Sequence, residues 1–402
     1  MRGTAAAVGL GCLLVLPQAA AAQDFPPVTE SNFTIDLYQG AVLGGTRIIG
    51  MGGAQVAMAE GAAGLAANPA SPAVRPATST GTWDWDWNVD WLNPQIGTDY
   101  DNNGVDTDEG SVDRTIIITG GLVVNYREWA LGMNLGVQQF DVVKVDPMGG
   151  DETFQPEFLI GHFSVSRTFL DDRVAAAVGI RVGTFSLTRI EPERTALIEM
   201  TGSALELGGV WMPKDRNLRV GASGALAADT QNIRPVGCDD PMDCEGFILP
   251  ERVEVPWQIA GGVAWRRAAT RWNKKVDARW RDERALLLAA DVVMTGPVKD
   301  GHGIEQYVIE NQLQRSGKTA VVSVRGGAEY EWFPGKFRVR GGSYWEPSRF
   351  DGVSGRLHVT LGLDWRIWRF CFWDERYRLR LSLTADGADK YGNGGLSIGL
   401  WH

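Results

Sequence analysis

The sequence predicts an all-β fold: a transmembrane antiparallel β-barrel of about fourteen strands, preceded by a segment small enough in side-chain volume to sit inside it. Three observations carry this. Apolar and polar residues alternate with a period of two in one stretch after another, the pattern of strands with one apolar and one polar face. Short turns alternate with long loops between these stretches, as in barrels that cross a bacterial outer membrane. Beyond the first residues, no stretch approaches the roughly 20 consecutive apolar residues of a membrane-spanning helix, although 44% of the chain is hydrophobic.

Arg2 precedes an apolar run from Ala5 to Leu16, followed by Pro17 and by Ala19-Ala20-Ala21-Ala22. Residues 1–22 therefore read as a secretory signal, cleaved after Ala22 and taking Cys12 with it. The formal charge of -10, more negative still without Arg2, argues against a nucleic-acid partner.

Residues 23–81 form the inner segment. Its centre, Gly44 to Pro72, is built almost wholly of Gly, Ala and small apolar residues and closes on Asn68-Pro69-Ala70. Small residues let backbone pack closely in a confined space, and Asn-Pro marks a turn. A dinucleotide-binding reading of Gly50, Gly52 and Gly53 lacks the preceding strand, the third glycine at its offset and the acidic partner downstream. A flexible linker is the plainer alternative. Asn68 has both donors and an acceptor to fix the segment, with Asp84, Asp86 and the arginines of the last strands as its expected partners. Met51, Val56, Met58 and Leu65 are expected to give the lumen apolar surface.

Residues 82–402 are assigned to the barrel. In the first strand Trp83, Trp85, Trp87, Val89 and Trp91 share one face, and Asp84, Asp86, Asn88 and Asp90 the other. Four tryptophans on one strand are hard to pack in a soluble sandwich but suit a lipid-facing wall. Further strands are expected near 114–126, 128–142, 155–169, 172–189, 194–212, 217–229, 252–268, 284–296, 318–332, 336–348, 355–371, 376–387 and 392–401. Long loops are expected at 93–113, 143–154, 230–251, 297–317 and 347–354. One turn, Ala268 to Glu283, is longer than its neighbours and rich in Arg, Lys and Trp. Between His302 and Gln314, apolar residues at helical spacing predict a surface helix over the barrel mouth.

Alternation also predicts what faces inward. Ser323, Arg325, Glu329 and Glu331, then Arg338 and Arg340, then His358, Thr360, Asp364 and Arg366, then Arg378 and Arg380 build an arginine-rich wall. Such a wall is either a structural ion network or a holder for an anionic head group, since arginine grips a carboxylate with two hydrogen bonds. In the loop Thr98 to Gly110, Asp99, Asp101, Asn103 and Gly104 match the first half of a calcium loop, with Asp106 and Asp108 as substitutes for the missing closing glutamate. A merely solvated acidic loop is the alternative, and no other cofactor is implied. Cys238 and Cys244 flank five residues in a chain expected to be exported and read as a small disulfide loop, leaving Cys371 as a buried thiol. His162 and Ser164 share a strand face two residues apart, without the orienting partner or oxyanion stabiliser that catalysis needs.

The inner segment resembles the start of the FadL/TodX family of outer-membrane transport proteins. The matching residues are Gly50-Met51-Gly52-Gly53-Ala54, Ala57, Ala63, Ala67 and Asn68-Pro69-Ala70. Val255-Pro256-Trp257-Gln258, Arg325-Gly326-Gly327-Ala328-Glu329-Tyr330 and Arg338-Val339-Arg340-Gly341-Gly342-Ser343-Tyr344 resemble later strands of that family. The resemblance implies a plug inside the barrel, an outer-membrane location among lipids, and passive uptake of hydrophobic small molecules such as long-chain fatty acids or hydrocarbons. It equally admits a barrel that does not transport and instead docks secreted or surface proteins.

Overall fold

The computed structural model describes residues 25–38, 40–95, 99, 101–105, 112–146, 150–191, 194–230, 240–372 and 375–401. Residues 1–22, read above as a secretory signal, lie outside these residues. The strands in order are β1 Thr34–Asp36, β2 Trp83–Gln95, β3 Val112–Tyr126, β4 Trp129–Asp146, β5 Gly150–Phe169, β6 Val174–Glu191 and β7 Thr195–Trp211. There follow β8 Leu218–Ala225, β9 Ala228–Thr230, β10 Arg252–Val255, β11 Gln258–Arg267, β12 Leu286–Thr295 and β13 Gly301–His302. The last are β14 Val321–Phe333, β15 Phe337–Glu346, β16 Arg356–Phe372, β17 Glu375–Ala388 and β18 Tyr391–Leu400. Two helices are α1 Thr46–Gly50 and α2 Ile304–Glu310.

Fourteen of these strands close into one antiparallel barrel, sealed where β18 pairs with β2 through Ser397 and Asp90. Each barrel strand read from the sequence is present. Three readings are corrected. The stretch 217–229 ends in the wall at Ala225, and Ala228–Thr230 pairs with β10 outside it. The stretch 252–268 is broken at Pro256, which has no N–H to give to a ladder, so Arg252–Val255 leaves the wall and the barrel strand starts at Gln258. The loop expected at 143–154 is mostly strand, because Val142 and Phe154 pair and turn inward onto buried apolar neighbours.

The outer surface carries an apolar belt, with Leu131, Leu207, Val263, Val324 and Leu361 exposed. Trp83, Trp129, Trp332 and Trp368 flank it toward the short turns, and Trp91 and Trp345 toward the long loops. At the long-loop end, β13, β1, β10 and β9 form a small separate sheet in which β1 runs parallel to β10 and β13. The helix expected between His302 and Gln314 is α2, and its Tyr307 and Val308 are buried against that sheet rather than on the surface. Phe154, Phe185, Leu187, Leu197 and Ile198 of the barrel complete this apolar core.

The first described residues lie in this cap, where the Leu313 amide donates to the Pro26 carbonyl at 2.9 Å. It then passes down the lumen to β2 at the other end. There the long turn 268–285 folds across the mouth. Its Val276 amide donates to Ala77 at 2.9 Å, and Trp272 is buried with Met51 and Met58.

Candidate functional site

The inner segment is held by its backbone, as its small side chains require. Asp90 on β2 accepts the Thr46 amide at 2.7 Å, and Asp86 accepts the Ala62 amide at 2.8 Å. Asp291 on β12 accepts both the Gln55 and Val56 amides, at 2.6 and 2.8 Å. Thr360 accepts from Gly52 at 3.1 Å, and Asn125 and Ser223 donate to the carbonyls of Pro72 and Ala67. Wall glycines make this approach possible. A Cβ at Gly327 or Gly342 would lie 2.3 Å from the backbone of Met51 or Gly52. Gly52 and Gly53 themselves have positive φ, and Gly50 packs against the wall at Gly362.

Asn68 is fully buried and does fix the segment, but not through the charged partners expected. Its amide nitrogen donates to the carbonyls of Val56, Gly209 and Ala222, and its oxygen accepts the Ala70 amide at 3.0 Å. Pro69 packs beside Gly208 on β7. The physical reason is reach: the turn lies against β7 and β8, where glycine and alanine leave carbonyls bare. Met51, Val56, Met58 and Leu65 are likewise not lumen surface; all four are packed against the wall or the segment itself and buried.

The arginine wall is a closed ion network over much of its length. Arg340 grips Asp364 with two nitrogens and donates to Glu329 at 2.6 Å, while Arg47 of α1 reaches Glu329 at 3.3 Å. Arg338 pairs with Glu331 at 3.1 Å, and Arg380 stands 4.0 Å from Asp364. Arg378 is turned to the mouth, where it grips Asp282 of the long turn and lies over Trp280. Arg366 does not join: a register shift between Arg366 and Trp368 ends the alternation there, and among the described residues its side chain has no ion pair. Asp282 itself is held below the usual carboxylate range by its hydrogen bond from Arg378.

His358 is fully buried between two carboxylates, with Nε2 2.6 Å from Glu346 and Nδ1 2.8 Å from Asp386. Both ring nitrogens facing carboxylate oxygens calls for an imidazolium that donates twice. Tyr344 stacks on the ring at 4.2 Å, donates to Asp386 at 2.6 Å and accepts the Val42 amide of the inner segment at 3.2 Å. Arg356 holds Glu346 at 2.7 Å and donates to the Asp99 carbonyl in the β2–β3 loop. Tyr344, Glu346 and Asp386 sit at the inward parity of their strands, so alternation alone would have found them.

Between the inner segment and the wall lies a cavity of about 210 Å³. Leu37, Val42, Leu43 and Ile48 line one side; Ile117, Phe158 and Ile160 line the other, with Tyr38, Gln138, His162, Arg181 and Arg325 among them. His162 meets Glu206 on β7 at 2.9 Å, a neighbour that the sequence did not reveal. Ser164 is buried with its hydroxyl unpartnered, so the base does not hold the nucleophile that a hydrolytic pair requires.

In the acidic loop, Asp99 accepts the amides of Asn103 and Gly104 at 2.8 and 2.9 Å, and the Asn103 side chain accepts from Val105. Burial and the nearby Glu305 of α2 push the Asp101 carboxyl well above the usual range. Asp106 and Asp108 lie outside the described residues, as does Cys238 and with it the pairing to the buried Cys244. Cys371 is exposed, not buried, because it sits at the tip of the β16–β17 hairpin beyond the packed wall.

No family model matches the chain, and no curated protein matches it in sequence. In fold it is similar to a FadL homologue of Pseudomonas aeruginosa, at 13% identity and a TM-score of 0.50 over 89% of this chain and 97% of that one. It is similar to the Pseudomonas putida toluene transporter TodX at 12% identity and a TM-score of 0.50, over 92% of this chain and 99% of the other. The CymD monoaromatic hydrocarbon channel gives 12% identity and 0.50 over 89% and 97%. The chain thus has a FadL/TodX-like fold.

Proposed function

We propose that the chain is a bacterial outer-membrane channel for passive uptake of hydrophobic small molecules, with residues 23–81 as its plug and residues 1–22 as its export signal. It is read as a channel and not as an enzyme. The observation that carries this is the cavity of mixed, mostly apolar lining between the inner segment and the wall. The exterior apolar belt and its flanking tryptophans support a membrane location, with the short turns toward the periplasm. The fold shared with transport barrels is in keeping with it.

The wall is interrupted beside the cavity. β7 pairs with β8 only from Glu206 to Trp211, leaving Thr195 to Leu205 without a barrel strand on that side. The chain leaves the wall at Leu226 and returns at Pro256. Arg181 fastens this break by donating to the Leu226 and Pro256 carbonyls at 2.7 and 3.0 Å, and it also lines the cavity. We read the break as the lateral entrance. Calcium at Asp99, Asp101 and Asn103 remains a reading of the spacing alone, because the Asp99 carboxylate and Asn103 amide oxygens already accept backbone amides.

A second reading, a scaffold that docks secreted or surface proteins, is favoured by the ordered sheet and helix that cover the long-loop end. Mass spectrometry of small molecules co-purifying with the detergent-solubilised protein separates the two. Uptake predicts a bound apolar compound, lost when Phe158→Trp fills the cavity. A protein partner captured with an empty cavity would favour docking.

A further inference from the structure

Resting on the uptake reading, the charges around the cavity narrow the class of cargo. Most buried arginines of the lumen have a carboxylate: Arg340 has Asp364 and Glu329, Arg349 has Asp36, Arg356 has Glu346, and Arg219 has Glu60. Among the described residues, two arginines that line the cavity, the buried Arg181 and the partly buried Arg325, have no carboxylate within ion-pair distance. Arg325 donates only to the Ser323 hydroxyl, at 3.2 Å. Its cross-strand neighbour Asp291 is turned instead to the Gln55 and Val56 amides. Arg181 is 6% exposed, donates to two carbonyls, and keeps a buried Nε with no partner. The nearby Glu206 gives one oxygen to His162, and its other oxygen is buried without a partner.

An arginine that lines a cavity without an ion pair can grip a carboxylate with two hydrogen bonds. Size sets the rest. A cavity of roughly 150 Å³ lined by apolar residues takes up benzene, so about 210 Å³ admits one ring with a small substituent. The cavity is partly open, so an extended lipid-length chain would project from it with only part of its length in contact. We propose that the cargo is a compact monocarboxylate with a ring-sized apolar body, its carboxylate on Arg325 with Arg181 alongside and its body against Leu37, Val42, Ile117 and Phe158.

Calorimetry on the full detergent-solubilised protein tests this with benzoate, toluene and hexadecanoate as probes. Benzoate should bind saturably and at least tenfold more tightly than toluene or hexadecanoate. Arg325→Met should weaken benzoate about 10- to 100-fold, the range of a charged hydrogen bond, and leave toluene unchanged. Arg325→Lys, which keeps the charge and loses the fork, should fall between. If Arg325→Met lacks the heat-modifiable gel shift of a folded barrel, Arg181→Gln takes its place with the same expectation. Toluene or hexadecanoate binding as tightly as benzoate, or benzoate unaffected by either variant, overturns the proposal. Toluene flux through proteoliposomes without benzoate binding sinks this inference alone, whereas no binding and no flux of any probe sinks the uptake reading beneath it.

Discussion

Strands β5 to β7 and strands β14 to β17 line one lumen with opposite chemistry. The first group turns Phe154, Phe158, Phe185, Leu187 and Ile198 inward onto the cap at the long-loop end. The second turns inward Arg340, Glu329, Asp364 and His358, each satisfied by a named partner. Apolar packing is non-directional and tolerates exchange at similar volume. A buried ion network tolerates loss of a partner poorly, and its use in fixing one arrangement of the inner segment is a hypothesis that the Arg47–Glu329 contact motivates. The cap is built to be stable, and the ionic wall to hold a register.

The sharpest way to break this contrast is to remove one charge. Arg340→Ala leaves Glu329 and Asp364 without their main partner and should cost about 3–5 kcal/mol, read as a lower unfolding temperature in the heat-modifiable gel assay. A change below about 1 kcal/mol would show the network to be dispensable. Ile35→Ala in β1 should cost about 2–4 kcal/mol, but locally: hydrogen exchange should quicken in the cap while the barrel strands keep their protection. Asn68→Ala removes the donor to three carbonyls and should cost about 1–3 kcal/mol. It is expected to raise ion leak through planar bilayers with the folded gel band retained. Leak equal to that of the parent would reduce the turn to packing filler.

The smallest effect is one of pH. On the small sheet Glu254 lies opposite Asp36 and Asp229, and burial followed by these two carboxylates pushes its carboxyl up to about 7. A raised carboxyl favours the neutral form in the folded state. Its contribution is therefore greatest below about 4.5 and is lost as pH rises toward 7. Exchange in β1 and β10, corrected for intrinsic rates, should be slower at pH 5 than at pH 8, and Glu254→Gln should flatten the difference.

The ionic wall was legible in the sequence because a charge on one face of an alternating strand leaves no doubt about parity. Arg338, Arg340, Asp364 and Arg380 all face inward as that rule requires. The apolar half was not legible. Where Phe158 and Leu159 follow one another, both faces are apolar and alternation has no contrast to read. The role of Asn68 could be read from its chemistry, but its partners could not, because Gly209 and Ala222 offer only carbonyls. Arg181 and Glu206 also stand at inward parity, but the sequence places no cluster of charges around them.

The path of the inner segment has a consequence for assembly. Residues from Pro26 are tied into the cap at one end, and β2 begins at the other, so the chain between them runs through the whole lumen. β18 pairs with β2 around the segment that precedes β2, closing the ring between residues some 300 positions apart. Contacts that distant in sequence form slowly. A thread secured at both ends also cannot leave as a body. If the proposed uptake holds, a path past it is expected to open by local exchange of the amide bonds at Asp90, Asp86 and Asp291 with the ring intact.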